Sequence, residues 1–166
     1  MNLHAQLCAR QDAGNPIRVG LIGAGKFGAM FLAQARRTPG LHVMAIADLD
    51  VERAHRTCAR VGWPDEAHEA TNFAAALSSG GCHITDDASA MIAADGLDVV
   101  IEATGSPADG IRHALAAIAG GRHVVMVTVE GDALVGPLLA RRAREAGVVY
   151  SMAYGDQPAL ICELVD

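Results

Sequence analysis

The sequence is poor in aromatic residues and nearly devoid of lysine. Aromatics make up 4% of its 166 residues, so a surface that stacks nucleic-acid bases lacks its platforms. Lys26 is the only lysine. No other ammonium can serve as a catalytic acid or base, and no basic run exists to meet phosphates or a membrane surface. The charge balance points the same way, with 13 Lys+Arg against 19 Asp+Glu and a formal net charge of −6. Closely spaced cysteines are also missing. Cys8, Cys58, Cys82 and Cys162 lie far apart, which excludes zinc knuckles and redox pairs, and isolated thiols suit a reducing cytoplasm. The seven histidines form no ligand or triad spacing, and no metal is expected. The first ten residues lack the basic start and long apolar run of a signal peptide. No stretch approaches the roughly 18 apolar residues of a membrane span.

What is present is a core. Apolar residues supply 51% of the chain and charged residues 19%, a balance that suits one packed globular domain and excludes a disordered tail. Residues 3–13 read as a leading helix stopped by Gly14-Asn15-Pro16. A compact β-branched run, residues 17–22, then breaks into a glycine-rich turn. Helical spacing of Phe27, Met30 and Phe31 follows over residues 26–37. The pattern continues with a strand over 41–47, a helix over 51–61, a helix over 65–79, a weak strand at 83–85 and a helix over 88–94. It sharpens into a strand over 97–103, a helix over 107–119, a strand over 123–129, a helix over 132–146 and a strand over 148–153. Residues 158–165 begin a further apolar helix.

Strands that are nearly continuous apolar runs, alternating with helices, indicate a parallel sheet covered on both faces. Six strands make the full set of a doubly wound α/β Rossmann fold, a three-layer αβα sandwich with expected order 3-2-1-4-5-6. The expected organisation is a leading helix over 1–14, a dinucleotide-binding domain over 15–157, and at 158–166 the start of a helix leading to a substrate domain.

Gly23-Ala24-Gly25-Lys26-Phe27-Gly28 is a G-x-G-x-x-G between a strand and a helix. The first glycine permits the tight turn, the second lets the backbone approach a pyrophosphate, and the third lets the helix pack on the strand. The helix start offers free N–H groups and partial positive charge to the phosphates. Lys26 either contacts a phosphate oxygen or lies solvated. Asp48, 20 residues beyond Gly28, ends the second strand. Its carboxylate can accept hydrogen bonds from the adenosine ribose hydroxyls, and it can equally cap the next helix. At about 5 Å and an effective dielectric near 20 it would repel each charge of a 2′-phosphate by roughly 3 kcal/mol. The first cation after it is Arg53, so NAD is favoured over NADP.

Thr104-Gly105-Ser106-Pro107 follows the fourth strand, where the switch-point rule puts the nicotinamide half of the cofactor. Ser106 before Pro107 is also a good helix cap. Glu102 is an acid in a buried strand and reads as structurally paired. Glu130, past the fifth strand, and Asp156, past the sixth, either reach a substrate pocket or cap their helices; they are the two candidate catalytic acids.

The runs Asn15 to Gly28, Asp98 to Gly105, Val127 to Asp132 and Tyr154 to Pro158 together resemble the homoserine dehydrogenase-like oxidoreductases. The likeness is strongest to their branch of 1-deoxy-D-xylulose 5-phosphate reductoisomerase-like enzymes with a C-terminal SAF domain. The resemblance implies a nicotinamide-binding domain followed by a catalytic and dimerising domain. Residues 23–28 would form the pyrophosphate loop, Thr104 and Gly105 would flank the nicotinamide ribose, and Glu130 and residues 155–157 would lie toward the active site. Val129-Glu130 replaces the Asn-Lys of homoserine dehydrogenases, which argues against homoserine. Asp48 stands where the reductoisomerase-like enzymes carry arginines for NADPH. The expected function is NAD-dependent hydride transfer with a sugar-acid or hydroxy-acid substrate. This chain alone would bind cofactor without turnover and would associate with itself, if at all, through the further domain. The competing reading is a non-catalytic NAD-sensing module.

Overall fold

The first strand, β1 (Ile17–Ile22), lies at the centre of a six-stranded sheet because both of its faces are apolar and must be covered. The computed structural model describes residues 2–153. The other strands are β2 (Leu41–Ala47), β3 (His83–Thr85), β4 (Val99–Glu102), β5 (His123–Met126) and β6 (Tyr150–Met152). All neighbours pair in parallel, in the order β3-β2-β1-β4-β5-β6. This is the doubly wound α/β sheet expected from the sequence. Every strand therefore delivers its carboxyl end to one edge, and β1 and β4 lie side by side where the winding reverses.

The helices are α1 (Leu3–Asp12), α2 (Lys26–Ala35), α3 (Val51–Arg60), α4 (Phe73–Ser79), α5 (Ala88–Ala93), α6 (Pro107–Ala119) and α7 (Val129–Ala146). Two cores fill the space between them and the sheet. One packs Val19, Leu21, Val43, Ile46 and Ile101 against Leu32, Ala54 and Cys58 of α2 and α3. The other packs Ile22, Met44, Val100, Val124 and Met126 against helical residues such as Met91, Ala114 and Leu139. Each fully buried Leu or Ile contributes about 2 kcal/mol through the apolar surface it removes from water.

Four expectations need correction. The single helix over 65–79 is instead a 3-10 turn at Asp65–Ala67, an irregular stretch, and α4. Its backbone is diverted: Cys82 donates to the Ala67 carbonyl, Ala70 donates to that of Cys82, and Asn72 restarts the helix by accepting from Ala75. The fifth strand stops at Met126, and α7 begins at Val129 rather than 132, which puts Glu130 in a helix's first turn. The fourth strand is shorter than 97–103, since Leu97 and Asp98 link the turn at 95–96 to it and the strand ends at Glu102. In α2 only Phe31 of the apolar triplet packs against the core. Phe27 is 36% and Met30 53% exposed, while Gly28, Ala29, Leu32 and Ala35 are buried. The close approach of Gly28 to the strand sets the helix's rotation, and small side chains line the contact. The expected helix at 158–165 and the Asp156 loop lie outside the described residues.

Candidate dinucleotide-binding cleft

The glycine loop divides its labour as elementary sterics require. Gly23 has φ +98, and a Cβ there would stand 2.5 Å from the Ala103 carbonyl oxygen, so only glycine lets the ends of β1 and β4 meet. A Cβ on Gly28 would overlap the Gly23 carbonyl oxygen. Gly25 is different. It is the N-cap of α2, it has φ −73, and a Cβ there would meet nothing within 4 Å. Its glycine character serves neither turn nor packing, and open space lies in front of it. The first-turn N–H groups of α2 have no acceptor within the helix and carry its positive dipole end. Lys26 and Phe27 are exposed at the same turn.

Asp48 sits at the end of β2 and is buried, its side chain 2% exposed. One carboxylate oxygen, Oδ2, accepts from the Ala24 backbone N–H at 2.8 Å. The other, Oδ1, accepts from the Asp50 N–H at 2.9 Å and from Arg53 Nη2 at 2.6 Å. The acid thus clamps the glycine loop from below and carries a guanidinium at its outer edge. It does not cap α3; Asp50 does, by accepting from the Arg53 N–H. The Arg53 side chain is 54% exposed.

On the β4 side, Thr104 and Gly105 are held by a buried polar knot. Glu102 is fully buried, and its Oε1 accepts from the Thr104 N–H at 3.2 Å and from the Thr104 hydroxyl at 2.5 Å. Gly105, with φ +71, donates its N–H to Thr128 Oγ1 at 3.1 Å. His113 Nδ1 stands 3.6 Å from Glu102 Oε1. Burial alone would raise the Glu102 carboxyl, but the neighbouring His113, Thr104 and Thr128 side chains outweigh it and hold the group below the usual carboxylate range. Ser106 stands at the N-cap of α6 with Pro107 behind it, and its hydroxyl donates to Asp109 at 2.7 Å. Glu130 is exposed in the first turn of α7.

Gly23, Asp48, Arg53, Thr104 and Ser106 border one cleft of about 440 Å³, whose lining also includes Arg112 and His113. A cavity of about 490 Å³ opens at the opposite sheet edge beside Arg18, Arg36, His42 and Trp63. Helix carboxyl ends converge there, so it lacks the free N–H groups that a pyrophosphate needs. The edge that carries the first cleft has what a dinucleotide needs: open space at Gly25 and the N–H donors of α2 next to Gly23, and an acid at the second strand's end. Among the described residues no group of three or more His, Cys, Asp or Glu is placed to hold a metal ion. No helix among them is long and apolar enough to cross a membrane.

The structure brings residues 23–28, Asp48, Thr104 and Gly105 to the same sheet edge. Sequence reasoning missed the roles of Arg53, Thr128 and His113. One signal was available: Gly110 interrupts α6, and a Cβ there would lie 2.8 Å from Glu102 Oε2. A glycine inside a helix pointed to a close neighbour.

Residues 17–127 match the family GFO/IDH/MocA, described as "Oxidoreductase family, NAD-binding Rossmann fold". No curated protein sequence matches the chain. Among solved structures, the chain is similar to an NAD-binding oxidoreductase from Klebsiella pneumoniae, with TM-score 0.63, 23% identity, and coverage of 90% of this chain and 38% of that one. A homoserine dehydrogenase from Thiobacillus denitrificans gives TM-score 0.65 and 22% identity over 83% of this chain and 29% of that one. Biliverdin reductase from Synechocystis sp. PCC 6803, in complex with biliverdin and NADP+, gives 0.57 and 23% over 84% and 38%. At these identities the likeness is one of fold. The chain spans about a third of the length of these structures.

Proposed function

Because the chain belongs to the GFO/IDH/MocA family of oxidoreductases and is its NAD-binding Rossmann domain, we propose that residues 23–28, Asp48, Thr104 and Gly105 hold the dinucleotide, and that NAD is preferred to NADP. The open cradle at Gly25 carries this reading, since it is the one loop glycine whose missing Cβ no protein atom explains. The α2 N–H groups bind the pyrophosphate, while the Ala24 N–H, engaged by Asp48, holds the loop in shape. Asp48 orients the adenosine ribose and opposes a 2′-phosphate. Arg53 offsets part of that charge, so we expect the preference for NAD to be moderate, on the order of tenfold rather than the larger factor a bare carboxylate gives. When bound, the nicotinamide accepts or donates hydride at a substrate carbon.

A finer kinship with the homoserine dehydrogenase-like, SAF-domain branch, and with it a sugar-acid or hydroxy-acid substrate, is supported by the four sequence runs that begin at Asn15, Asp98, Val127 and Tyr154. We assign residues 15–157 to the cofactor domain and leave substrate chemistry to a further domain, with Glu130 and Asp156 as the candidate acids. Calorimetric titration with NAD and NADP tests the cofactor reading. NAD binding tighter than NADP, with the gap narrowed in Asp48→Asn, supports it. Tighter NADP binding by the unaltered chain overturns the assignment of Asp48.

A further inference from the structure

Glu102 is a full charge in an unusual place. It is entirely buried, it ends β4 at the point where the sheet's winding reverses, and among the described residues its Oε2 has no hydrogen-bond partner. Burying an ion is expensive, and here the His113, Thr104 and Thr128 side chains together favour the charged form. Thr104 donates from its N–H and its hydroxyl to Oε1, and a neutral amide oxygen could accept both. Gly110 gives up its side chain to make room for Oε2. The nearest basic group, His113, also has an unpartnered Nδ1. Arg112, one residue earlier, is turned to Asp109. Nothing else on α6 or at the start of α7 neutralises the carboxylate, because Glu130 and Asp132 add negative charge there. Its field already reaches across the sheet: Tyr150 on β6 has its hydroxyl pushed up mainly by burial and by Asp132, with a further contribution from Glu102.

Resting on the cofactor assignment above, we propose that Glu102 is a positioning residue that acts through its charge. Buried beneath the Thr104-Gly105 loop, its carboxylate favours the oxidised, positively charged nicotinamide over the neutral reduced one. The two oxidation states share the same adenosine and pyrophosphate and differ by one unit of charge at the ring. A fixed anion under the ring's loop therefore discriminates between them, whereas contacts at the glycine loop do not. Release of the reduced form is correspondingly favoured.

The test is Glu102→Gln, with dissociation constants for NAD+ and NADH measured by fluorescence and calorimetry beside a thermal melt. The amide keeps the shape and can accept from Thr104. A partly screened unit charge corresponds to roughly a fivefold effect. The expected result is weaker NAD+ binding, nearly unchanged NADH binding, and a Kd(NAD+)/Kd(NADH) ratio raised about fivefold. A purely structural Glu102 would weaken both forms equally, and that outcome, or an unchanged ratio, overturns the proposal. Gly110→Ala, which crowds Oε2 while keeping the charge, is the control; if it shifts the ratio as much as Glu102→Gln does, charge is not the cause. Failure of the unaltered chain to bind either form would refute the cofactor assignment instead.

Discussion

Replacing each loop glycine by alanine separates stability from binding in a way that the backbone geometry dictates. Gly28→Ala drives a methyl into the Gly23 carbonyl oxygen, a backbone atom that cannot rotate away, and overpacking of this kind costs about 1–3 kcal/mol. Gly23→Ala adds a φ of +98 to a 2.5 Å contact with the Ala103 oxygen. The unfavourable backbone region costs roughly 1–3 kcal/mol more, for a total of about 2–6 kcal/mol. Gly25→Ala meets no atom within 4 Å at φ −73, so stability should change by less than about 1 kcal/mol. The same methyl stands in the cradle over the α2 N-terminus. Loss of close backbone approach to the pyrophosphate should weaken NAD at least tenfold, or about 1.4 kcal/mol. Urea denaturation of the three variants, with NAD titration of those that fold, measures both quantities. Equal destabilisation by Gly25→Ala and Gly28→Ala, or an unaltered Kd for NAD in Gly25→Ala, refutes the division of roles.

Arg53→Ala uncovers the Asp48 carboxylate and should widen the preference for NAD over NADP severalfold, as read by paired titrations; a narrowed gap would mean that Arg53 does not offset the Asp48 charge at the 2′ position. His68 is buried and its Nδ1 lies 3.0 Å from that of His55. Burial, then His55, lowers its affinity for protons, outweighing Asp65 and Glu69. A histidine harder to protonate when folded than when unfolded contributes stability that is complete above about pH 6.5 and declines as pH falls below it. Thermal melts should therefore drop between pH 7.5 and 5.5, and His68→Gln should flatten that slope. Tyr150 donates to Asp132 Oδ1 at 2.7 Å, tying β6 to α7; Tyr150→Phe should cost about 1 kcal/mol in chemical denaturation.

The strand order could be read from the sequence because the central strands are short apolar runs with turn residues on both sides, and parallel doubly wound sheets admit few arrangements. The glycine loop was legible for the same reason: its three glycines each meet a different local demand. The stretch from Asp65 to Ser79 was not. Its alanines favour a helix, but Ala67 and Ala70 are tied to Cys82 across the chain, a tertiary demand that propensity does not register. The packed face of α2 was hidden because alanine and glycine carry little hydrophobic signal, while Phe27 and Met30 carry much. Asp48 was found by its spacing. That its two oxygens are already engaged, by Ala24, Asp50 and Arg53, depends on side-chain directions that spacing cannot express.

The leading helix is attached in an unusual way. No residue of α1 is buried, yet the helix rests on the turn that enters β2, because a Cβ on Gly40 would overlap the Leu7 carbonyl oxygen, and Gly40 also donates its N–H to Gln11 Oε1 at 2.9 Å. The contact at Leu7 is main chain against main chain, and it consumes almost no side-chain identity. The amino acids of α1 are thus largely free to drift, while residue 40, outside the helix altogether, is where the segment's docking can be lost by a single methyl.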